Sequence, residues 1–240
     1  IVLMKSSYKY TANPTRNPFR WLLACWRVSR DMTNTNEAAI VEIGFSRSWF
    51  GRRISGWQTV TLELQKSEQH NSAISKRERL GFVDIAKLGE LDAGTLGRAL
   101  AVQCTRKAID PNLVHIDTDT DVDFVMAHVF ETHDIWHVVT GWGNDEEGEV
   151  GLGGFYIAQL QLPLIALMLS LVFLNTVLSK PESLKPRMDA LTNGYQMGKT
   201  ARDLFGVDWR RNFSRSLHEI RQEYEIVQEI VGEGILRDAA

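Results

Sequence analysis

The stretch Leu160-Gln-Leu-Pro-Leu-Ile-Ala-Leu-Met-Leu-Ser-Leu-Val-Phe-Leu-Asn-Thr-Val-Leu178 constrains the fold of this chain more than any other feature. Its length approaches the roughly 20 residues that cross a bilayer. Gln161, Pro163, Asn175 and Thr176, however, leave only Leu164 to Leu174 strongly apolar, and neither a topogenic charge cluster nor a second span accompanies it. The stretch therefore reads as a helix buried in a globular protein. A helix apolar nearly all round has to be covered on every side, by other helices or by an apolar ligand. Strand patterns are weak, with Thr59–Leu64 and Val114–Ile116 the only candidates. The expected fold is all-α: a single helical domain with a buried apolar helix and a groove that accommodates lipid.

With 240 residues, 44% hydrophobic and 24% charged, the chain can bury a sizeable core in one domain. The expected division is an N-terminal segment, 1–36, carrying an amphipathic helix, and a helical domain, 37–240. Trp21 to Val28 reads as that amphipathic helix, and its tryptophans and arginines also suit a membrane interface. Residues 37–45 and 80–90 show further helical patterns, 46–56 read as a loop, and 65–76 as a solvated connection. The net charge of −3 and the lack of a long basic run exclude a nucleic-acid partner. Cys25 and Cys104 stand outside any Cys-x-x-Cys spacing, which excludes a zinc ribbon or a disulfide framework and suits a reducing cytoplasm. Residues 1–10 lack the pattern of a secretory signal, so no export is expected.

The strongest chemical signal is Glu131-Thr-His-Asp-Ile-Trp-His137, followed by Glu149. The spacing of Val122, Val125, Met126, Val129, Phe130 and Val138 predicts a helix over 123–140, capped by Asp121 or Asp123 and ended by Gly141 and Gly143. On it His133 and His137 lie one turn apart on one face, Asp134 lies beside His137, and Glu149 can fold back after the turn. Imidazole and carboxylate donors converging in this way are what a divalent ion needs. Unlike a His-Glu-x-x-His metalloprotease, the chain carries the shorter Asp134 after the first histidine, which fits a ligand better than a proteolytic base.

Met126 and Phe130 share the face of His133, so the metal face runs into an apolar strip. Together with Leu160, Leu164, Leu167, Met168 and Leu171 they form the expected floor for the tail of an amphiphilic ligand whose head group the ion holds. His70, His115, His128 and His218 read as structural or surface residues. Arg210, Arg211, Arg215 and Arg221 read as solvated faces of a C-terminal helix. Asp117 to Asp123 lack the glycine and terminal Glu of a calcium loop, and Gly148 to Gly154 suit either phosphate binding or close helix packing. No nucleophile elbow and no catalytic triad spacing is present, so catalytic residues are not assigned.

The run Arg79-Leu-Gly-Phe-Val-Asp-Ile-Ala-Lys-Leu-Gly-Glu-Leu-Asp-Ala-Gly94, then His133-Asp-Ile-Trp-His137 with Glu149, then Gly194-Tyr-Gln-Met-Gly-Lys199, Trp209 and Leu217-x-x-x-Arg221, resembles the coenzyme Q biosynthesis protein four family over about residues 79–226. The His-Asp-x-x-His-x11-Glu signature of that family is complete here. Before residue 79 the family's acidic, proline-containing lead-in is replaced by the Trp- and Arg-bearing N-terminus.

The resemblance implies a bacterial relative, all-helical, cytoplasmic and peripherally membrane-associated. The divalent metal, zinc or magnesium, would be held by His133, Asp134, His137 and Glu149. The implied partners are a prenylated quinone precursor or isoprenoid phosphate and other quinone-biosynthesis proteins, and a homodimer is compatible. Two functions follow: oxidative decarboxylation of a prenylated hydroxybenzoate head group, or non-catalytic presentation of isoprenoid intermediates to other enzymes.

Overall fold

The computed structural model describes residues 10–11, 18–30, 56–112 and 114–228. Among them the chain is helical: α1 (Pro18–Arg30), α2 (Trp57–Leu64), α3 (Glu68–Lys76), α4 (Ile85–Leu88), α5 (Leu96–Lys107), α6 (Asp121–Thr140), α7 (Glu146–Leu160), α8 (Pro163–Ser179), a 3-10 turn (Pro181–Ser183), α9 (Leu184–Thr200), α10 (Trp209–Asn212) and α11 (Leu217–Glu223). The strand pairing is one short parallel ladder, β1 (Tyr10–Thr11) on β2 (Val114–His115). The all-α expectation holds, and Val114–His115 is the remnant of the second strand candidate.

α6 is the central element, with Phe124, Val125, Met126, Ile135, Trp136 and Val139 all buried in the main core. Its start is set by Thr120 rather than by the aspartates. The Thr120 hydroxyl accepts from the Asp123 backbone N–H, and the Asp123 carboxylate accepts from the Thr120 N–H, a reciprocal capping box. Its end is set by Gly141, at φ 83°, where a side chain would be strained. The three carbonyls before that glycine find donors in the C-terminal segment: Arg221 donates to Val138 and Val139, and Gln228 to Thr140. Arg221 is therefore a half-buried capping residue, a correction to its expected place on a solvated face, and α10 and α11 are two short helices in place of one.

α7 packs on α9 at backbone distance. A Cβ on Gly194 would stand 1.8 Å from the Gly151 carbonyl oxygen, and one on Gly154 would stand 2.4 Å from that of Leu191. Close packing thus accounts for this glycine run. α8 departs from expectation. The chain breaks at Gln161, at φ 51°, so the apolar stretch is shared between the end of α7 and α8. Only one side of α8 is buried, through Leu164, Leu171, Val172, Asn175 and Thr176, while Val177 is 78% exposed. It is apolar all round yet, among the described residues, covered on one side only. Among the described residues no helix is long and apolar enough to cross a membrane.

α1 lies on α8, where Ala24, Cys25, Val28 and Leu171 form a small core separate from the main one. The expected helix at 21–28 is present and longer at both ends. Two further readings are overturned. Thr59–Leu64 lies in α2, and 65–76 holds α3, whose His70, Ala73 and Ile74 are buried. In both segments the buried residues fall three to four apart, a spacing that short, polar-rich sequence disguises. The helical pattern at 80–90 condenses to Ile85–Leu88. Residues 37–45 and 46–55 lie outside the described residues. Cys25 and Cys104 are both free and buried.

Candidate metal centre

α6 and α7, joined by the turn at Gly141 to Asp145, bring His133, His137 and Glu149 together. Their ligand atoms lie within 4.8 Å of one another. His137 Nε2 stands 3.1 Å from His133 Nε2 and 3.2 Å from Glu149 Oε1, and His133 Nε2 stands 3.6 Å from Glu149 Oε2. The other nitrogen of the His137 ring, Nδ1, lies 2.9 Å from the Trp142 carbonyl oxygen. A carbonyl only accepts, so Nδ1 carries the proton and donates it; in the neutral ring Nε2 is then a bare lone pair. That lone pair faces a second imidazole nitrogen and a carboxylate.

Local sequence builds this tautomer. Trp142 sits between Gly141 and Gly143, and its ring lies where a Cβ on Gly151 would come within 2.3 Å. A glycine on α7 thus admits the indole whose carbonyl orients His137. The N-terminus of α7 is held one turn before Glu149. Arg187, wholly buried, donates to Glu146 at 2.6 Å, to Asn175 Oδ1 and to the Val172 carbonyl, while Lys180 donates to the second Glu146 oxygen at 2.5 Å. Asn175 in turn donates to the Ser29 carbonyl, tying α1 to the same network. Desolvation alone would raise the Glu146 carboxyl; its bonds to Lys180 and Arg187 outweigh this and lower it.

Desolvation would likewise raise the Glu149 carboxyl, but positive charge on His137, the bonds to both histidines and then the charge of His133 hold it well below the usual carboxylate range. His137 is completely buried, while the Glu149 side chain is 46% exposed. The site therefore opens to solvent along Glu149. Tyr156, two turns after Glu149 on the same face of α7, stacks on Trp136 (centroids 4.4 Å) and lies 6.1 Å from His133 at an interplanar angle of 10°. Its buried hydroxyl has no hydrogen-bond partner. Burial, then Glu149 and Asp134, push its ionisation well above the ordinary phenol value, so it keeps its proton.

The expected site residues thus divide. His133, His137 and Glu149 converge; Asp134 is not among the groups whose ligand atoms meet within that radius. Met126, Leu160 and Leu164 are buried residues of the main core, Phe130, Leu167 and Met168 pack against it, and Leu171 belongs to the small core with α1. Sequence reasoning missed Trp142, Tyr156 and Arg187. The spacing of seven between Glu149 and Tyr156 is a legible signal; Arg187 offers none, because its partners lie on two other elements.

The profile described as "Coenzyme Q (ubiquinone) biosynthesis protein Coq4" matches residues 30–229. The chain belongs to the Coq4 family. The match begins well before residue 79, so the family's pattern reaches further toward the N-terminus than the resemblance in sequence suggested. Among curated relatives, the mitochondrial ubiquinone biosynthesis protein COQ4 of Coprinopsis cinerea is 27% identical over 169 residues, covering 68% of this chain and 57% of the relative. The mitochondrial COQ4 homolog of Danio rerio is 31% identical over 160 residues, covering 62% and 56%. This Coq4-family chain therefore spans little more than half the length of those relatives. A protein of Nostoc punctiforme, provisionally named for ubiquinone biosynthesis, shares the fold: its crystal structure superposes with a TM-score of 0.73 at 24% identity, over 88% of this chain and 99% of that one.

Proposed function

We propose that this protein acts in ubiquinone biosynthesis as a metal-dependent protein that binds a prenylated aromatic head group. The observation that carries the reading is the convergence of His133 Nε2, His137 Nε2 and Glu149 within 4.8 Å, with the His137 Nδ1 proton committed to Trp142 so that its Nε2 is left to accept. Positive charge is what this set favours: a proton on an imidazole supplies it in acid, and a divalent ion supplies it where both rings are neutral. Two imidazoles and a carboxylate suit zinc better than magnesium, which prefers oxygen. Asp134, next to His133, is the proposed fourth ligand.

The metal would supply Lewis acidity toward a carboxylate or phenolate oxygen of the head group. Trp142 fixes the ring of His137, the Arg187–Glu146 pair fixes the start of α7, and Tyr156 offers a retained proton beside the site. The proposed reaction replaces a ring carboxyl by a hydroxyl whose oxygen comes from water, releases carbon dioxide and two protons, and passes two electrons to an oxidant supplied from outside the protein. The tail would lie against Phe130, Leu167 and Met168, with Met126, Leu160, Leu164 and Leu171 beneath.

One observation favours the alternative, a scaffold that presents a membrane-borne intermediate. α1 and α8 expose Phe19, Leu22, Trp26 and Val177 beside the arginines of α1, a composition suited to a lipid surface. This supports peripheral membrane association in the cytoplasm, the proposed location, although the relatives are named as mitochondrial. A docking segment within 1–36 on a domain at 37–240, other quinone-biosynthesis proteins as partners, and a homodimer belong to the same proposal. Metal analysis and lipid mass spectrometry on one purified sample test it. One bound divalent ion with turnover of a prenylated hydroxybenzoate supports the enzyme; one ion and a stoichiometric prenyl lipid without turnover support the scaffold; absence of metal defeats both.

A further inference from the structure

A second cluster of charge lies on another side of α6, away from His133, His137 and Glu149. Gly94, Ala99, Val102, Gln103, Val138 and Leu217 floor a cavity of about 230 Å³, and Arg106, Lys107, His218 and Arg221 complete its lining. Among the described residues no carboxylate contributes to that lining. His133 and Val138 are five residues apart on α6, so they point roughly 140° from one another, and the cavity is separate from the candidate metal centre.

Arg221 is the telling residue. Its guanidinium donates to the Val139 carbonyl at 3.0 Å and to the Val138 carbonyl at 2.8 Å, so its bonds go to neutral oxygens. The end of α6 offers about half a negative charge, which leaves the cation only partly balanced. Burial alone pushes the Arg221 guanidinium down to about 10, with no acidic group opposing that shift. Arg106 and Lys107 close the C-terminal turn of α5 with exposed side chains, and His218 stands on the first turn of α11. A half-buried cation beside two further cations, over an apolar floor, has no acidic counter-ion among the described residues.

We propose that this cavity binds a small oxyanion, a carboxylate or phosphate monoester bearing a short apolar group. The oxyanion would meet Arg221, Arg106 and Lys107, and the apolar group would lie on Ala99, Val102, Val138 and Leu217. Gln103 adds an acceptor: its Oε1 is buried without a partner among the described residues, while its Nε2 donates to the Asp134 carbonyl. A hydroxyl on the ligand would satisfy it, which makes a hydroxylated carboxylate or a monoprotonated phosphate preferable to a fully deprotonated, hydroxyl-free anion. The proposal stands independently of the metal reading.

The test uses the full chain stripped of metal, so that binding at the histidines does not contribute, and titrates 4-hydroxybenzoate, benzoate, inorganic phosphate and benzamide by calorimetry. 4-Hydroxybenzoate or phosphate should bind saturably in the millimolar range expected for so small a ligand, and neutral benzamide should not. The double variant Arg106→Gln, Lys107→Gln changes only exposed side chains and should weaken the anion at least tenfold with an unchanged melting temperature. Arg221→Lys should weaken it too, since a point charge replaces a fork. Tighter binding of 4-hydroxybenzoate than phosphate assigns the carboxylate class, and the reverse assigns the phosphate class. No saturation by any anion, equal binding of benzamide, or undiminished binding in the double variant would overturn the proposal.

Discussion

Two regions that share helix α6 carry opposite chemistry. At His133, His137 and Glu149 two imidazole nitrogens and a carboxylate converge, a set suited to a cation; at Arg221, Arg106 and Lys107 cations line a cavity to which no carboxylate among the described residues contributes. The first is built by tight, glycine-mediated packing of α7 on α9 and by the buried Arg187–Glu146 pair. The second is built by short helices and side-chain caps at the end of α6. The difference teaches that two faces of one helix can carry chemically opposite groups, donors suited to a cation on one and cations on the other.

The largest expected effect breaks the first region alone. His137→Ala removes the most buried ligand and should lower zinc affinity by about a thousandfold, read by competition with a chromophoric chelator, since the remaining two donors hold a divalent ion poorly. Anion binding at Arg221 should not move. If both sites weaken together, the separation is wrong.

Acid sharpens the comparison next. Protons compete with metal for the imidazole nitrogens, so metal affinity falls with pH while the guanidinium of Arg221 stays charged. Stability falls in the same range for a different reason. His128 is buried, and burial, then the charges of Arg79 and His70, push it down to about 4; its Nε2 accepts from the Gly206 N–H. Between about 6.5 and 4 the unfolded chain binds a proton there and the folded one does not. The native state therefore gains from neutral His128 in full above 6.5 and loses that gain as pH falls toward 4, an effect of up to about 3 kcal/mol. Urea melts across this range should show the slope, and His128→Gln should flatten it; an unchanged slope would show that other groups carry it.

Arg187→Met comes third. It leaves Glu146 with Lys180 alone and loosens the start of α7, so metal affinity should fall about tenfold through misplacement of Glu149, with anion binding unaltered. Thr120→Ala is the smallest. Loss of the cap should cost about 1 kcal/mol in melts and change neither affinity, because the cap lies at the opposite end of α6 from both sites.

Much of the first region is legible in sequence. The spacing of His133, His137 and Glu149 around Gly141 foretold the three groups that converge, though not the place of Asp134, and also the helix and its end, because each rests on local periodicity and on a backbone conformation that favours glycine. The tertiary partners are not legible. Trp142 acts through a backbone carbonyl that any residue carries, and Arg187 reaches Glu146 across 41 positions. α8 misled for a related reason: uniform apolarity implies full cover only if a cover exists, and Val177 has none among the described residues. α3 was hidden by polar residues around three buried positions. The second region left almost no trace, since Arg221 reads as an ordinary solvated cation and Arg106 and Lys107 stand in no motif until the fold shows what they surround.

The central claim is that His133 and His137 turn their Nε2 lone pairs to one metal while other histidines do not take part. Long-range 1H–15N spectra of the histidine rings, recorded as zinc is added to metal-stripped protein, test it directly. The account predicts that one equivalent shifts the Nε2 resonances of His133 and His137, leaves His137 Nδ1 protonated, and leaves His128 unchanged. Zinc that shifts no Nε2 resonance, or that shifts His128 and His137 alike, would contradict it.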